Sequence, residues 1–221
     1  MVEVKLVAQT VVNSHVMREV GYVRHGYMKH ENKYVIRGSE NPADELAEFP
    51  GRLCYLSWNR PNPATATNQG YLANIIKQDH QSVFGHASFS FYIVCSRACS
   101  HEIARHVFLT KSEVSQRYCD PEKILDQVGE DTSYFDGALY QYDQLMDCQP
   151  EERNRKAKRG NARLQLPLGF PTALVVSGNV RAWRDFIKQR NTEFADAEIR
   201  EVAQLILGYL RVHAPNSVQD L

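Results

Sequence analysis

The chain lacks an excess of charge of either sign, because its 26 lysines and arginines are matched by 26 aspartates and glutamates. Such a balance is not typical of a protein that coats nucleic acid. The sequence also lacks an apolar run close to the roughly 18 residues of a membrane helix, and its start, MVEVKLV, lacks the basic and apolar regions of a signal peptide. We therefore expect a cytoplasmic protein with no nucleic-acid partner and no membrane partner.

Cysteine is also sparse, and the five cysteines form no regular framework. An odd, irregular set is typical of a reducing compartment and argues against a disulfide scaffold. Cys95, Cys99 and His101 could contribute to a metal site, but they have no fourth ligand nearby and fit tetrahedral zinc poorly. We predict that no metal is bound.

What the sequence has is 221 residues, 43% of them hydrophobic, which suffices for one medium-sized domain with a sizeable core. Strand and helix patterns are mixed without regular alternation, and neither a repeat nor a linker is visible. We predict an α+β fold in a single domain, residues 1–221, with a mixed or antiparallel sheet flanked by helices.

Hydrophobic periodicity predicts the individual elements. Strands are expected at 5–12, 87–95 and 170–177. Helices are expected at 42–53, 67–79, 97–108 (capped by Ser96), 134–146 and 152–162, and then after caps at Asn179 and Thr192, the last one ending before Pro215. The polar, aperiodic segments 22–38 and 122–132 are predicted to be surface loops.

Residues 105–118, RHVFLTKSEVSQRY, concentrate groups that can bind an anion. The guanidinium groups of Arg105 and Arg117 can grip a phosphate bidentately, and serines and backbone N–H groups can supply further donors. If the second half of the segment is extended, Glu113, Ser115 and Arg117 share one face. A solvated charged loop is an equally good interpretation of these residues taken alone.

Four segments together resemble the signature of the flavin-dependent thymidylate synthases, the ThyX family. The family has an Arg-His-Arg triplet, a Ser seven residues later and the ending Ser-x-Arg-Tyr, which Arg105, His106, Ser115, Arg117 and Tyr118 match. The resemblance continues in HQSVFGHASFSF from His80, in ARLQLP from Ala162, and in GNVRAWRDFIKQR from Gly178 followed by ADAEIR from Ala195.

The resemblance implies a binding site for a uracil mononucleotide and one for FAD. The nucleotide would contact Glu102, Arg105, Glu113, Val114, Ser115, Gln116, Arg117, Arg163 and Arg190. The flavin would contact His80, Ser82, Arg105, His106, Asn179, Arg181 and Asp185. The resemblance also implies a homotetramer with both ligands where protomers meet, methylenetetrahydrofolate as carbon donor and NADPH as reductant. Because a carboxylate repels phosphate, we expect Glu113 to meet a ribose hydroxyl or an Arg.

Methylation of C5 of a uracil ring requires either a thiolate that adds at C6 or polarisation of the ring imide. Burial is the expected role of Cys95 and Cys99, and Cys119 is the one thiol expected to approach the site. Arg190 is the better catalytic candidate, because a guanidinium is charged at any working pH and stabilises the ionised imide. By resemblance, Arg190 holds the position of the family's Arg that promotes ionisation at N3.

Three departures from the family pattern bear on flavin affinity. Val107 replaces the second Arg of the triplet, Gly85 replaces a common Glu, and Asp185 stands where relatives carry a polar or cationic residue. We expect Lys111 to compensate for the lost Arg. A non-catalytic nucleotide-binding relative is the alternative that these departures favour, and UMP stays open as a substrate beside dUMP.

A basic run without acids indicates a second functional class, a nucleic-acid-binding protein. It consists of Arg153, Arg155, Lys156, Lys158 and Arg159. A solvated helix face is the preferred interpretation, because the chain is neutral overall and a helix spreads these charges nearly all round.

Overall fold

The computed structural model describes residues 2–22, 29–30, 33–34, 41–60, 62–148, 150 and 154–221. The strands among them are β1 (Glu3–Gln9), β2 (Lys29–His30), β3 (Lys33–Tyr34), β4 (Ser88–Ser96), β5 (Thr110–Glu113) and β6 (Pro171–Asn179). The α-helices are α1 (Ser14–Glu19), α2 (Pro42–Cys54), α3 (Asn68–Lys77), α4 (Arg97–Ala104), α5 (Pro121–Val128), α6 (Asp136–Asp147), α7 (Arg155–Ala162), α8 (Val180–Arg190) and α9 (Ala197–His213). Short 3₁₀ turns lie at Pro63–Thr65, Gln81–Gly85, Thr132–Phe135, Arg163–Gln165 and Pro215–Val218.

Four antiparallel strands form the main sheet, in the order β1, β4, β6, β5. β4 and β6 pair along their whole length, from Ser88 opposite Asn179 to Ser96 opposite Pro171. The pattern of alternating burial in the first half of β4 is the one that the sequence predicts. The fold is therefore α+β with an antiparallel sheet. None of the described helices is long and apolar enough to span a membrane.

The larger core lies between the sheet and helices α2, α3, α4, α8 and α9. Trp183 of α8 is fully buried in it, and its ring meets Phe91 and Phe186 edge to face at centroid distances of 5.1 and 5.8 Å. The indole N–H donates to the carbonyl of Phe89 at 3.2 Å. Because that buried donor is satisfied, the tryptophan ties α8 to the sheet without a desolvation penalty.

Local capping fixes where two helices of the site begin. The side chain of Ser96 accepts from the backbone N–H of Cys99 at 3.1 Å, and Asn179 accepts from that of Ala182 at 2.9 Å, as predicted. The prediction of a cap at Thr192 is wrong. The chain turns there first, and α9 begins only after Asp196. Its buried face consists of Ile199, Val202, Ala203, Ile206, Leu207 and Leu210.

The helix predicted at 97–108 is four residues too long. α4 ends at Ala104, and the Nζ of Lys111 donates to the carbonyls of Ala104, His106 and Leu109 at 3.2, 3.4 and 3.3 Å. The bond to Ala104 satisfies a carbonyl that the helix end leaves unpaired, and the other two hold the turn that follows. The chain then forms the edge strand β5, which the sequence pattern did not reveal.

The condition under which Glu113, Ser115 and Arg117 would share one face, an extended chain in the second half of this segment, is not met. The carbonyl of Ser115 accepts from the backbone N–H groups of Tyr118 and Cys119, at 3.0 and 2.9 Å, so the chain turns there. Glu113, Ser115 and Arg117 therefore do not form one face of a strand.

The prediction of a loop at 122–132 is wrong, because α5 occupies most of it. Pro121 suits the first helical position, where its missing N–H is not needed. Ile124 and Leu125 are buried in a second, smaller core. So few apolar residues in one short helix give no clear periodicity.

The other predicted loop, 22–38, lies almost entirely outside the described residues. Within it, the short strands β2 and β3 pair with each other. Tyr22 is buried and its hydroxyl donates to Glu48 at 2.9 Å, so the start of this segment is anchored on α2. The remaining predicted elements are confirmed, with differences of a few residues at their ends.

Candidate active site

α8 ends at Arg190, whose side chain reaches back to the end of α4. Its Nε donates to Nε2 of His106 at 3.0 Å, and its Nη1 donates to Oε2 of Glu102 at 2.9 Å. The side chains of Arg190 and Glu102 are 17% and 21% exposed, so both stay accessible to a ligand. We refer to Glu102, His106 and Arg190 as the Arg190 cluster.

Charge and burial set the protonation of this cluster. Burial lowers the pKa of His106, and the positive charge of Arg190 lowers it further. The imidazole is therefore neutral at neutral pH, with Nε2 as the acceptor. Burial raises the pKa of Glu102, Arg190 opposes that shift, and the hydrogen-bonded Asp196 adds to it. The cluster thus combines a permanent cation with a carboxyl group of raised proton affinity.

A second group of predicted substrate residues lies beyond the other end of α4. Glu113 forms an ion pair with Arg97 at 2.7 Å, which confirms the expected Arg partner. Glu113 and Val114 line a cavity of about 750 Å³ between the sheet and α5, together with Tyr118. Arg159 of α7 also lines this cavity. It donates to the carbonyl of Tyr118 and to the carboxylate of Asp120, and so connects α7 to the segment before α5.

The remaining predicted substrate residues divide between these two places. Arg105 caps the C-terminal end of α4, next to the Arg190 cluster. Arg117 lies beside α7, where its Nε would be 3.9 Å from a Cβ added at Gly160, and Arg163 ends the same helix. Ser115 accepts from the backbone N–H of Arg117 at 3.3 Å, within the turn that also contains Gln116. Contacts of the described residues do not bring the four predicted arginines together around one point of a single chain.

The predicted flavin residues also lie in more than one place. Three of them, His80, Ser82 and Arg181, line a cavity of about 470 Å³ beside α2 and α3. Arg105 and His106 lie instead at the end of α4.

The last two predicted flavin residues, Asn179 and Asp185, belong to α8, one at its start and one at its middle. Asn179 caps the helix, and Asp185 accepts from Gln189 at 2.8 Å on its exposed side. His106 lies within electrostatic reach of Asp185. α8 thus connects the flavin residues to the Arg190 cluster.

The departure at Val107, and the proposed compensation by Lys111, can be examined in the structure. Val107 is 80% exposed and its neighbour Phe108 is 79% exposed, so the segment after His106 presents apolar side chains outward. The three carbonyl bonds of Lys111 match its three donors. These contacts hold the Lys111 ammonium group against the chain after α4, which argues against its replacing the missing Arg.

Sequence reasoning missed three residues that organise these sites: Arg97, Arg159 and Asp196. Arg97 follows a predictable cap but meets its partner only after the chain has formed β5. Arg153 of the basic run lies outside the described residues. Among the others, Arg159 is buried, whereas Arg155 and Lys156 are exposed as expected. Asp196 lies in the segment ADAEIR, whose position between two helices is a signal that could have identified it.

The cysteines have the environments that burial predicts. Cys95 and Cys99 are buried, and all five thiols are free. Cys119 is partly buried and lines the larger cavity. In the part of the chain that the structure describes, no group of three or more His, Cys, Asp or Glu side chains is placed to hold a metal ion.

Comparison with known proteins identifies the class to which this fold and site belong. The model of the family described as "Thymidylate synthase complementing protein" matches residues 36–216. A "Probable flavin-dependent thymidylate synthase" of Mycobacterium phage L5 is 41% identical over 239 aligned residues, which cover 98% of this chain and 96% of that protein. The chain belongs to the flavin-dependent thymidylate synthase family.

Two further relatives have the same kind of name. A "Probable flavin-dependent thymidylate synthase" of Mycobacterium phage D29 is 43% identical over 196 residues, which cover 81% of this chain and 83% of that protein. A "Flavin-dependent thymidylate synthase" of Mycobacterium tuberculosis is 44% identical over 196 residues, which cover 79% and 78%.

Proposed function

We propose that the protein methylates C5 of a uracil nucleotide, converting dUMP to dTMP in a flavin-dependent reaction. Methylenetetrahydrofolate supplies the carbon and NADPH reduces FAD. The names of the relatives support the synthesis of thymidylate with a flavin. For this chain, the observation that carries the proposal is the Arg190 cluster, a permanent cation that two hydrogen bonds fix at a helix end and that a ligand can still reach.

Arg190 is the proposed catalytic residue. Its charge, next to the imide of a bound pyrimidine, stabilises the anion that makes C5 nucleophilic. The neutral imidazole of His106 supports this role, because it fixes the guanidinium without adding a second positive charge. No covalent bond between enzyme and substrate is needed in this scheme.

The residues proposed to hold FAD fit its chemistry. The smaller cavity offers the cation of Arg181, the hydroxyl of Ser82 and the imidazole of His80, groups that suit a diphosphate and a polar ring system. Bound FAD would supply the redox chemistry that side chains cannot. Asp185 is paired with Gln189, which reduces its repulsion of a diphosphate.

We further propose that the single-domain chain acts in the cytoplasm as a homotetramer, with both ligands where protomers meet. The five free thiols support a reducing compartment. The separation of the two groups of substrate residues supports a site shared between protomers. Several large apolar side chains are available for such contacts: Val107, Phe108, Leu164, Leu168 and Phe194, the last 91% exposed.

The absorbance spectrum of the purified protein, recorded with and without dUMP and NADPH, tests this function. We expect a flavin spectrum that NADPH bleaches when dUMP is present, and dTMP when methylenetetrahydrofolate is added. UMP is assayed beside dUMP to decide the preferred sugar. A protein that binds nucleotide and flavin but never reduces the flavin would instead be a non-catalytic relative.

A further inference from the structure

Tyr71 of α3 lies at the wall of the smaller cavity, with its hydroxyl group against Gly51 of α2. Tyr71 is 8% exposed, and both residues line the cavity. A Cβ added at Gly51 would be 2.3 Å from the hydroxyl oxygen of Tyr71. The hydroxyl group therefore occupies the space that a side chain at position 51 would take, and the glycine leaves room for it.

The ring of Tyr71 is held in place by Arg52, whose guanidinium carbon lies 4.4 Å from the ring centroid. A cation over an aromatic face is attracted to it, and more strongly where both groups are shielded from water. Arg52 is itself fixed, because its Nε donates to the carboxylate of Glu48. Its Nη groups donate to the carbonyls of Ser57 and Thr65, at 3.3 and 2.6 Å. These contacts fix the direction in which the Tyr71 hydroxyl points.

The hydroxyl group of Tyr71 is a donor that the described protein does not use. Burial raises the pKa of Tyr71, although the positive charge of Arg52 opposes that shift, so the group keeps its proton at neutral pH. Within the described part of the chain, this hydroxyl makes no hydrogen bond. Because a phenol can donate one hydrogen bond, it is available to an acceptor that enters the cavity.

The other polar groups of the cavity indicate the chemistry of that acceptor. The guanidinium group of Arg181 and the hydroxyl group of Ser82 are donors typical of phosphate sites. The carboxylate of Asp79, which also lines the cavity, accepts from the side-chain amide of Gln81 at 3.0 Å. The cavity thus offers a cation and two hydroxyl donors to an anionic oxygen.

We propose that the hydroxyl group of Tyr71 donates a hydrogen bond to the diphosphate of the cofactor, and that Gly51 is a positioning residue that acts through Tyr71. This inference rests on the proposed function, because it places FAD in the smaller cavity. The resemblance to the family implies no role for either residue. Their contacts add a donor from α3 to the groups that the 3₁₀ turn at Gln81–Gly85 and α8 provide.

Fluorescence titration of the flavin-free full-length chain with FAD, with ADP as a competing probe, tests the role of Tyr71. Tyr71→Phe should weaken the binding of both by roughly 10- to 100-fold, the range of one charge-assisted hydrogen bond. ADP has the diphosphate without the flavin ring, so equal losses locate the contact at the diphosphate. The melting temperature without ligand should not change, because no hydrogen bond within the described chain is removed. The matched control is Tyr140→Phe, at an exposed position of α6, which should leave both affinities unchanged.

Gly51→Ala tests the positioning role of the glycine. Its added Cβ should displace the Tyr71 hydroxyl and weaken FAD binding by roughly three- to tenfold, less than the loss of the whole hydrogen bond. In the Tyr71→Phe background the same substitution should cost less, because the oxygen 2.3 Å from that Cβ is gone. A general disturbance of α2 by the methyl group would cost the same in both backgrounds.

Alkylation of cysteines in wild type shows whether FAD occupies the smaller cavity. Cys54 is exposed and lines that cavity, whereas Cys148 is exposed on another part of the described surface. FAD should protect Cys54 from iodoacetamide and leave Cys148 reactive, as mass spectrometry of the peptides measures. This measurement needs no variant, so it does not depend on how a substitution affects folding.

Four outcomes would overturn the inference while leaving the proposed function intact. They are wild-type FAD affinity in Tyr71→Phe, a loss for FAD without one for ADP, equal losses from Gly51→Ala in both backgrounds, and FAD binding that does not protect Cys54. Failure of wild type to bind FAD at all would instead contradict the proposed function itself.

Discussion

Two arginines of α8, six residues apart, have opposite environments. Arg184 is buried with its side chain 2% exposed, and it forms a two-pronged pair with Asp220 at 2.6 and 2.8 Å while also donating to the carbonyl of Ser217. Arg190 donates to one carboxylate and one imidazole and keeps 17% of its side chain exposed. One guanidinium anchors the C-terminal 3₁₀ turn, and the other is held at a surface that a ligand can enter.

The difference shows that a guanidinium group can be held in place without using its charge and all of its donors within the protein. Arg184 satisfies its donors within the protein, including Nε with Gln81 at 3.4 Å, so its charge is used in folding. Arg190 is oriented by a neutral ring, and its carboxylate partner has a raised pKa. Its charge is therefore available to an anion that forms beside it. The two residues should respond differently to the same substitution.

The largest expected effect is on catalysis by Arg190. Arg190→Gln should lower the rate of dTMP formation by about 10²–10³-fold, the usual cost of removing a group that stabilises a developing anion. The melting temperature should change little, because the residue is partly exposed. Steady-state assays and calorimetry on the same preparation measure both. A matching loss of stability would remove the contrast with Arg184.

Arg184→Met should lower stability and leave the rate of dTMP formation nearly unchanged. Removing one partner of a buried ion pair costs about 3–5 kcal/mol, because the other charge is left without compensation. Asp220 is partly exposed, so we expect the lower end of that range. Denaturant unfolding measures the loss, and turnover per folded, flavin-loaded molecule should stay near that of wild type. Unchanged unfolding would mean that the C-terminal turn is not anchored by this pair.

Asp44 contacts the same C-terminal turn as Arg184, and it should make the free energy of unfolding depend on pH. Burial raises the pKa of Asp44 to about 6, although Ser217 and Asn216 donate hydrogen bonds to it. The folded state therefore holds this proton more tightly than the unfolded chain, where the pKa is 3.8. The stabilisation is complete below about pH 4 and is lost as the pH rises through about 6, on the order of 3 kcal/mol in all.

The variant Asp44→Asn isolates this contribution, because it cannot titrate. The difference in unfolding free energy between wild type and variant should change between pH 4 and 7 and stay flat above. Asp220 does not interfere in this window. Burial raises its pKa, but the hydrogen bonds and charge of Arg184 outweigh burial and lower it, so its contribution is lost only on further acidification. If the free energies of unfolding of the two proteins changed in parallel with pH, the pKa of Asp44 would not be raised in the folded state.

The smallest expected effects concern flavin affinity near the Arg190 cluster. Val107→Arg should tighten FAD binding by roughly three- to tenfold, since it adds a cation at an exposed position without a steric clash. Lys111→Ala should leave FAD binding unchanged and cost about 1 kcal/mol of stability, because it removes bonds to the carbonyls after α4. Fluorescence titration of apoprotein with FAD measures both. Weaker FAD binding in Lys111→Ala would restore its role as a substitute cation.

Local signals made part of this fold predictable. A cap such as Ser96 or Asn179 acts on the next three residues, so it is visible in the sequence at the position where it works. β4 and α9 are long enough for their periodicity to stand out. β5 and α5 have four and eight residues, too few for a pattern, and they form because β6 and the smaller core are there to receive them.

The site residues also divide into those that local motifs indicate and those that depend on contacts between distant segments. Family motifs indicated Glu102, His106 and Arg190 separately, and the structure shows that they touch. Non-local pairings could not be predicted, because the pair of Arg97 with Glu113 and that of Arg184 with Asp220 depend on how distant segments meet. Arg184 is buried for the same reason, because the C-terminal turn covers it.

The rate of dTMP formation by flavin-loaded Cys119→Ser, measured beside Arg190→Gln, tests the central claim most directly. Cys119 is the one thiol that lines the larger cavity in the described structure, and a mechanism with covalent attachment would require a thiolate. We predict that Cys119→Ser turns over at the wild-type rate while Arg190→Gln loses about 10²–10³-fold. An inactive Cys119→Ser beside a fully active Arg190→Gln would contradict activation by the guanidinium charge.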